Sequence, residues 1–266
     1  MSPPSASYLI PPIAHWLGCH RIDLADCAST NDEAGRLARA GARHGTVVIA
    51  QTQSAGRGRD GRAWASPPGL GVYLSAVIRS PLPLADVPPM TLAIGIGLCD
   101  AIRATGVHAC LKWPNDALVD SKKVAGVLVE AQSQGGKLDA VVIGIGVNIG
   151  GEVPMELTEI ATSLEHESGM PIDREAFIAA LLAYVERWID RYVAMGLEEI
   201  IPEWTERMAI GLSARATIDG SALTGEVFGL ADDGALLLRD GDGALHRVRS
   251  GDVEVIRATP RAPAHL

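Results

Sequence analysis

The chain has 266 residues, of which 47% are hydrophobic and 21% are charged. This composition is ordinary for a globular protein, and it excludes a disordered, collagenous or coiled-coil chain. The net charge of −9 disfavours sequence-independent attraction to a phosphate backbone, so any anionic ligand must be bound locally.

Three features of the sequence bear on the location of the protein and on metal binding. The longest apolar run is interrupted by Gly95 and Gly97, and no basic start followed by an apolar stretch opens the chain, so we expect a cytoplasmic protein outside the membrane. The four cysteines have no CxxC spacing and are predicted to be reduced thiols. His15, Cys19 and His20 could supply part of a metal site, but no second group of ligand residues follows at the spacing that such a site needs. No metal site is therefore predicted.

The first predicted elements are a helix and two strands. Thr30 as N-cap and Glu33 three residues later form a capping-box pattern, and the helix is expected to run to about Gly41. A short β-branched strand is predicted at 45–50 and an alternating strand at 71–78.

An apolar helix is predicted next, over about 88–105, and it leads into a meander. Three strands are predicted at 109–119, 124–132 and 138–147. Asp120-Ser121-Lys122 and Gln134-Gly135-Gly136 are good hairpin turns between them. Strands joined this tightly must be antiparallel.

The last third of the chain changes pattern near residue 210. Asp173 is expected to cap a helix to about Ala194, and a further helix is predicted over 198–208. We therefore predict two domains, 1–209 and 210–266, the second a small β-barrel of SH3 type. Its turns are predicted at Asp219-Gly220, Asp232-Asp233-Gly234 and Asp240-Gly241-Asp242-Gly243.

A loop rich in glycine and arginine joins the first two strands. Gly56-Arg57-Gly58-Arg59-Asp60-Gly61 has the GxGxxG spacing of a dinucleotide fold, but the proline-containing segment 64–69 cannot open the helix which that fold requires. Arg57, Arg59 and Arg62 stand within six residues, and their guanidinium groups suit phosphate or carboxylate. We predict an anion-binding lid; the alternative is a solvated basic surface loop.

Two lysines and a carboxylate are expected to meet on one face of the sheet. Pro114 forces the chain out of regular pairing after Lys112, and a hairpin at 120–122 would bring Lys123 back beside Lys112 and Asp116. Gly126 would then leave room for a ligand on the sheet. The alternative is a hairpin stabilised by salt bridges, without a ligand.

The strand Gly144-Ile145-Gly146-Val147-Asn148 carries two glycines two residues apart. They lie on the same face, so something flat can pack on the bare backbone there. A β-bulge would explain the same glycines.

Together these motifs closely resemble those of the biotin–protein ligase family. Five motifs occur in order: Ser29-Thr30-Asn31, Gln53 to Arg62 with Trp64, Lys112 to Asp116, Lys123 to Glu130, and Gly144 to Asn148. The resemblance implies an α/β (α+β) fold of the class II synthetase-like biotin/lipoate ligase type. Helices would back one face of a mixed, largely antiparallel sheet, the other face would carry the site, and an SH3-like domain would follow.

The resemblance implies a two-step reaction. Biotin and ATP give biotinyl-5′-AMP and pyrophosphate, and the biotinyl group then passes to a lysine of a biotin carboxyl carrier domain. Mg²⁺ is expected with ATP, because the biotin carboxylate and the α-phosphate repel each other. The stretch before Ser29 has no room for the winged helix of the family's repressors, so we expect the monofunctional type with no DNA partner. A homodimer is an option.

The resemblance also assigns roles to residues. Lys123 matches the catalytic lysine between the biotin carboxylate and the α-phosphate, Arg59 matches the loop arginine that closes over the adenylate, and Asn148 matches a ligand on the nucleotide and metal side. Residues implied to bind biotin are Ser29, Thr30, Asn31, Gln53, Gly56, Arg57, Arg59, Trp64, Lys123, Gly126, Leu128, Gly144 and Gly146. Those implied to bind the nucleotide are Arg57, Arg59, Arg62, Trp64, Lys112, Asn115, Asp116, Lys123 and Asn148.

Two rival functions stay open. A lipoate–protein ligase or octanoyltransferase also acylates a carrier lysine, but the intact GRGR and KWPND motifs argue against it. A catalytically idle sensor of biotin or nucleotide would require the loss of a chemical residue, yet Lys123 and Arg59 are both present.

Overall fold

The computed structural model describes residues 12–80, 82–151, 153, 157–218, 221–249, 251 and 253–255. Its larger sheet contains β1 (His20–Leu24), β2 (Thr46–Ala50), β3 (Gly71–Ile78), β4 (Cys110–Lys112), β5 (Asp116–Val119), β6 (Lys122–Gln134) and β7 (Lys137–Asn148). The strand order is β1-β2-β3-β7-β6-β5-β4. The β1–β2 pair is parallel and the other neighbouring pairs are antiparallel, so the predicted mixed, largely antiparallel sheet is confirmed.

Both predicted hairpin turns connect strands of this sheet. Asp120 and Ser121 have positive φ angles of 46° and 69°, and Gly135 and Gly136 have 58° and 78°, as tight two-residue turns require. The stretch predicted as one strand over 109–119 is two strands, and they are divided at the break predicted after Lys112. The chain turns there and forms β4 and β5, which pair with each other, because a proline within that stretch has no N–H for a sheet ladder.

The α-helices within the described residues are α1 (Thr30–Arg39), α2 (Val87–Arg103), α3 (Leu164–Ser168), α4 (Arg174–Met195) and α5 (Leu197–Arg207). The Asp173 carboxylate caps α4 as predicted, accepting hydrogen bonds from the N–H groups of Glu175 and Ala176. α2 packs against α4 and β6 in the main core. The segment Leu84–Arg103 is long and apolar enough to cross a membrane, but 67% of its most apolar window is buried in the fold, as in a core helix.

α1 lies on the opposite face of the sheet from α2 and α4. Its Ala34 and Ala38 pack with Val48, Val77 and Val142, in a cluster separate from the main core. The prediction that helices back one face alone is therefore wrong. The small side chains of α1 let it cover part of the second face, and the remainder of that face stays open at the N-terminus of α1.

The predicted capping box of α1 is also wrong. Ser29 is the N-cap, in an extended conformation, and its own side chain makes no capping hydrogen bond. Thr30 Oγ1 instead donates to Oε1 of Gln53 at 3.1 Å. Glu33 pairs with Arg36 one turn later, at 2.6 Å, rather than reaching back to the helix start.

The second sheet lies in the C-terminal part of the chain. It contains β8 (Ser213–Ile218), β9 (Ser221–Leu230), β10 (Leu236–Arg239), β11 (Leu245–Val248) and β12 (Val253–Val255). Its order is β11-β10-β9-β8-β12 and all pairs are antiparallel. The predicted all-β character is confirmed, with turns at 232–234 and 240–243. The turn predicted at Asp219-Gly220 lies outside the described residues.

Candidate active site

A cavity of about 120 Å³ opens on the face of the large sheet that α1 leaves uncovered. Among the predicted site residues it is lined by Ser29, Thr30, Asn31, Gln53, Arg57, Arg59, Arg62, Trp64, Lys112, Asn115, Asp116, Lys123, Gly126, Leu128, Gly144 and Gly146. The five motifs therefore meet at one cavity. They lie at the start of α1, in the loop after β2, on the β4–β5 hairpin, on β6 and on β7.

Gly56 and Asn148 do not line that cavity. A Cβ on Gly56 would lie 2.6 Å from the carbonyl oxygen of Trp64, so this glycine lets the two ends of the loop approach each other. Asn148 ends β7, and its Nδ2 donates to the carbonyl oxygen of Thr162 at 3.0 Å. Their roles as ligand contacts stay predictions.

A β-bulge in β6 directs Lys123 into the cavity. Lys123 and Ala125 pair with consecutive residues of β5, which leaves Val124 between them without a partner on that strand. In a regular strand Lys123 and Gly126 would point to opposite faces, because they are three residues apart. The extra residue places both on the site face.

Asp116 lies between the two lysines. Its Oδ1 is 2.6 Å from Nζ of Lys123, and its Oδ2 is 3.4 Å from Nζ of Lys112. Two ammonium groups around one carboxylate leave one positive charge in excess, so the group can attract a carboxylate or phosphate. A Cβ on Gly126 would lie 3.0 Å from Cε of Lys123, so this glycine makes room for the lysine.

The two glycines of β7 are covered by side chains of the chain itself. A Cβ on Gly144 would collide with the amide of Asn31, and one on Gly146 would lie 2.5 Å from the indole ring of Trp64. The flat group expected on this bare face is therefore Trp64. The Nζ of Lys123 lies 5.1 Å from the centre of the same ring.

Side chains at the inner end of the cavity form a hydrogen-bonded network. Gln53 Oε1 accepts from the N–H of Thr30 at 2.8 Å, and its Nε2 donates to Ser66 Oγ at 2.8 Å. Ser75 Oγ lies 2.7 Å from Thr30 Oγ1 and 2.5 Å from Asn31 Oδ1, and Ser75 is fully buried. Ser75 is not among the predicted site residues, although a serine inside an apolar strand is a usable signal.

Arg57 is already paired with two carboxylates. Its guanidinium lies 2.5 Å from Asp32 Oδ1 and 3.3 Å from Glu130 Oε1. Glu130 also accepts from Nδ2 of Asn31 at 2.7 Å. Arg57 therefore holds the start of the loop to α1 and β6, which weakens its predicted role as an anion ligand. No local signal in the sequence pointed to Asp32 or Glu130 as its partners.

The outer walls come from the end of the loop and from the second sheet. The hydroxyl of Tyr73 donates to the carbonyl oxygen of Pro67 at 3.0 Å, and burial raises the pKa of Tyr73 to about 12. Val253 lines the cavity from β12. The indole N–H of Trp113 donates to the carbonyl oxygen of Gly234 at 3.0 Å, which joins the β4–β5 hairpin to the second sheet.

A larger cavity of about 450 Å³ adjoins the first. It lies between the start of α2, the middle of β6 and the turn at 233–235, and it shares Arg59, Trp113 and Pro114 with the smaller cavity. Arg59 is therefore placed where both spaces meet.

Comparisons with known proteins decide the family. The model of the Biotin/lipoate A/B protein ligase family matches residues 27–148, and that of the Biotin protein ligase C terminal domain matches 215–255. The Biotin--[acetyl-CoA-carboxylase] ligase of Paracoccus denitrificans is 34% identical over 224 residues, which are 81% of this chain and 92% of that protein. The chain belongs to the biotin protein ligase family.

Two further relatives resemble this ligase over most of its length. The Bifunctional ligase/repressor BirA of Bacillus subtilis is 36% identical over 244 residues, which are 90% of this chain and 75% of that protein. The biotin protein ligase from Aquifex aeolicus in complex with biotin and ATP superposes with a TM-score of 0.79 at 28% identity, covering 90% of this chain and 100% of the other. The family and the fold implied by the five motifs are confirmed.

The described residues of the ligase contain no cluster of side chains that could hold a metal ion by itself. No three His, Cys, Asp or Glu side chains come together there. The carboxylate of Asp116, which lines the cavity, is engaged by Lys112 and Lys123. Mg²⁺ usually binds one or two carboxylates together with substrate phosphates, and among the described residues that line the cavity only Asp116 could supply a carboxylate.

Proposed function

We propose that this ligase activates biotin with ATP as biotinyl-5′-AMP and transfers the biotinyl group to a lysine of a biotin carboxyl carrier domain. The observation that carries the proposal is the cluster of Lys112, Lys123 and Asp116 inside a cavity with a polar inner end. The relative from Paracoccus denitrificans and the superposed complex with biotin and ATP support the same reaction.

Lys123 carries the first step in this proposal. An oxygen of the biotin carboxylate attacks the α-phosphorus of ATP, and the bond from that phosphorus to the bridging oxygen breaks to release pyrophosphate. Negative charge grows on the α-phosphate oxygens, where the ammonium of Lys123 stabilises it. Arg59, at the meeting of the two cavities, then closes over the adenylate.

The inner end of the cavity would hold the ureido ring of biotin. That ring carries two N–H donors and one carbonyl acceptor, and Thr30, Asn31 and Gln53 offer hydroxyl and amide groups of both kinds within one network. Trp64 would flank the aliphatic tail, since its ring lies on Gly146 beside Lys123.

The second step needs an approach for the acceptor lysine. Its neutral amine attacks the acyl carbon, the bond from that carbon to the phosphate oxygen breaks, and AMP leaves. We assign the approach to the larger cavity, because it meets the smaller one at Arg59 and Pro114. Asn115 and Asp116 stand close to this junction, near the adenine or the acceptor amine.

Several finer assignments belong to the same proposal. Mg²⁺ enters with ATP, and the enzyme acts in the cytoplasm; a homodimer is an option. The change from the seven-stranded sheet to the five-stranded sheet supports a domain boundary between residues 209 and 210.

Transfer of labelled biotin to a purified carrier domain, with ATP and Mg²⁺, tests the proposed function. We expect label on the carrier that depends on both additions. Binding of biotin with no transfer would favour the idle sensor. Thermal stabilisation by lipoate rather than biotin, in the presence of ATP, would favour the lipoate–protein ligase or octanoyltransferase alternative.

A further inference from the structure

The side-chain amide of Asn31 lies between a carboxylate and a row of oxygen atoms. Its Nδ2 donates to Oε2 of Glu130 at 2.7 Å, and its Oδ1 accepts from Oγ of Ser75 at 2.5 Å. Asn31 is 6% exposed. The carboxylate of Glu130, which also pairs with Arg57, can only accept hydrogen bonds. Glu130 therefore determines that the nitrogen of the amide faces β6 and that its oxygen faces Ser75.

The row of oxygen atoms behind Asn31 is one hydrogen short. Four oxygens follow one another at 3.1, 2.7 and 2.5 Å: Oε1 of Gln53, Oγ1 of Thr30, Oγ of Ser75 and Oδ1 of Asn31. The two amide oxygens at the ends carry no hydrogen, so the two hydroxyl groups supply the hydrogens for three contacts. The backbone N–H of Thr30 does not help, because it already donates to Gln53. One of the three contacts is therefore left without a hydrogen.

Turning the Asn31 amide over would remove this shortage. Its nitrogen would then donate to Oγ of Ser75, and each of the three contacts would contain a hydrogen. The amide oxygen would, however, face the carboxylate of Glu130, which has no hydrogen to offer it. The charge on Glu130 therefore keeps the inner end of the cavity rich in acceptors.

We propose that Glu130 is a specificity-determining residue that acts through Asn31 and selects a ligand group with N–H donors. A ligand N–H directed at the row of oxygens supplies the missing hydrogen, whereas an oxygen at the same place would add one more acceptor. The inference rests on the proposed function, in which the ureido ring of biotin brings N–H groups to this end. Glu130 is not among the residues that line the cavity, so its effect on the ligand is indirect.

Glu130→Gln and Glu130→Lys test the proposal by calorimetric titration with biotin. Both new side chains can donate to the Asn31 oxygen, and lysine can only donate, so the amide turns over and the protein itself fills the shortage. We expect the Kd for biotin to rise by on the order of 10-fold, as for the loss of one buried hydrogen bond. The unfolding free energy of Glu130→Gln should not fall, because the network gains a bond.

Asp32→Asn and Asp32→Lys are the matched controls. Asp32 is the other carboxylate beside Arg57, at 2.5 Å, and its hydrogen bond is to that arginine rather than to the Asn31 amide. These variants weaken the attachment of the arginine loop in the same way and leave the amide as it is. Their Kd for biotin should stay within about threefold of the wild-type value.

The orientation of the amide is measured on the unliganded protein by nuclear magnetic resonance. In wild type, the side-chain amide protons of Asn31 should show nuclear Overhauser contacts to the γ protons of Glu130. In Glu130→Lys these contacts should move to the β protons of Ser75.

A double substitution gives an independent readout. Glu130→Gln and Ser75→Ala act on the same row of oxygens, so their effects on the Kd should not add. The effects of Asp32→Asn and Ser75→Ala should add, since these two residues share no partner in the network.

Three results would overturn the proposal: an unchanged Kd in Glu130→Lys, an equal rise in Asp32→Lys, or wild-type amide contacts in Glu130→Lys. A wild-type protein that does not bind biotin would show that the proposed function fails, and the inference with it. If wild type binds and transfers biotin and the Glu130 variants bind it equally well, the proposed function stands and the inference alone fails.

Discussion

Lys123 and Asp116 meet across the β5–β6 hairpin, with 2.6 Å between Nζ and Oδ1. Asp116 is paired with Gly126 in the ladder, and the missing side chain of that glycine is the space that Lys123 occupies. The side chain of Asp116 is 13% exposed and that of Lys123 is 34% exposed, so the carboxylate is enclosed while the amine remains accessible to a ligand.

Replacement of Lys123 by alanine should separate binding from chemistry. We expect Lys123→Ala to keep its affinity for biotin and to lose adenylate formation by on the order of 10²-fold or more, because one electrostatic donor to the α-phosphate is removed. Pyrophosphate release and biotin calorimetry measure the two quantities. Lys122→Ala, at the adjacent position at the start of β6, is the matched control. Near-normal pyrophosphate release by Lys123→Ala would contradict the assignment.

Replacement of Arg59 by glycine should impair retention of the intermediate more than its synthesis. Biotinyl-AMP is a reactive mixed anhydride that must be shielded from water and stray amines, and Lys123 remains in this variant. We expect Arg59→Gly to release the adenylate and biotinylate bystander albumin, as seen on a streptavidin blot. Arg43→Gly, at an exposed arginine, is the control. If Arg59→Gly still produced the adenylate but labelled albumin no more than wild type does, the lid function would belong to another arginine of the loop.

Introduction of a methyl group at Gly144 should displace Asn31. The new Cβ would collide with the Asn31 amide, which is bonded to Ser75 and Glu130. We expect Gly144→Ala to lose about 1–3 kcal/mol of unfolding free energy and to bind biotin more weakly, because buried polar partners are left unpaired. Urea unfolding and calorimetry check this. The control is Gly229→Ala, whose new Cβ meets no atom within 4 Å and should change neither the unfolding free energy nor the affinity for biotin. If the two variants changed these quantities equally, the packing argument would be contradicted.

Neutralising Glu130 should loosen the start of the arginine loop. Arg57 would keep Asp32 as a partner but lose one of its two ion pairs. Exposed ion pairs contribute about 0–1 kcal/mol, so Glu130→Gln should barely change the unfolding free energy. Trypsin should nevertheless cleave faster after Arg59, and biotin with ATP should slow that cleavage. The control is Glu226→Gln, which breaks the exposed pair with Arg239. The same cleavage rate in both variants would show that Glu130 does not hold the loop.

Tyr73 should make part of the stability depend on alkaline pH. Its pKa is raised from 10.0 to about 12 by burial, so the folded state keeps the proton at pH values where the unfolded state has lost it. Stability is therefore lost as the pH rises above 10. Tyr73→Phe should cost about 1 kcal/mol at pH 8 through the lost bond to Pro67, and the deficit should narrow between pH 10 and 12. The measurement is urea unfolding of wild type and Tyr73→Phe at pH 8 and at pH 12. The same difference in unfolding free energy at the two pH values would contradict the prediction.

Local patterns in the sequence determine most of the framework. The hairpin turns at Asp120-Ser121 and Gly135-Gly136 follow from residues that accept positive φ angles, and these turns impose antiparallel strands. The Asp173 cap follows from one side chain and the N–H groups two and three residues later. The two hairpins also bring the motifs on β5, β6 and β7 side by side in the sheet.

The capping box and the strand over 109–119 fail for a related reason. A local pattern states which bonds a residue can make, and tertiary partners decide which it does make. Thr30 bonds to Gln53, 23 residues away, rather than to the helix start. The proline after Lys112 can only interrupt the strand, whereas the pairing of β4 back onto β5 is a contact that the folded chain supplies.

Only the tertiary structure decides what occupies the site face. The hairpin predicted from the sequence places Lys123 beside Lys112 and Asp116, but regular alternation from Gly126 would turn its side chain to the other face, and it is the bulge at Val124 that keeps it on the site face. Gly144 and Gly146 have no side chains, and the space above them is occupied by Asn31 and Trp64, which come from distant parts of the chain. These are packing relations between residues far apart in sequence, and they depend on the register and twist of the assembled sheet, which no local periodicity encodes.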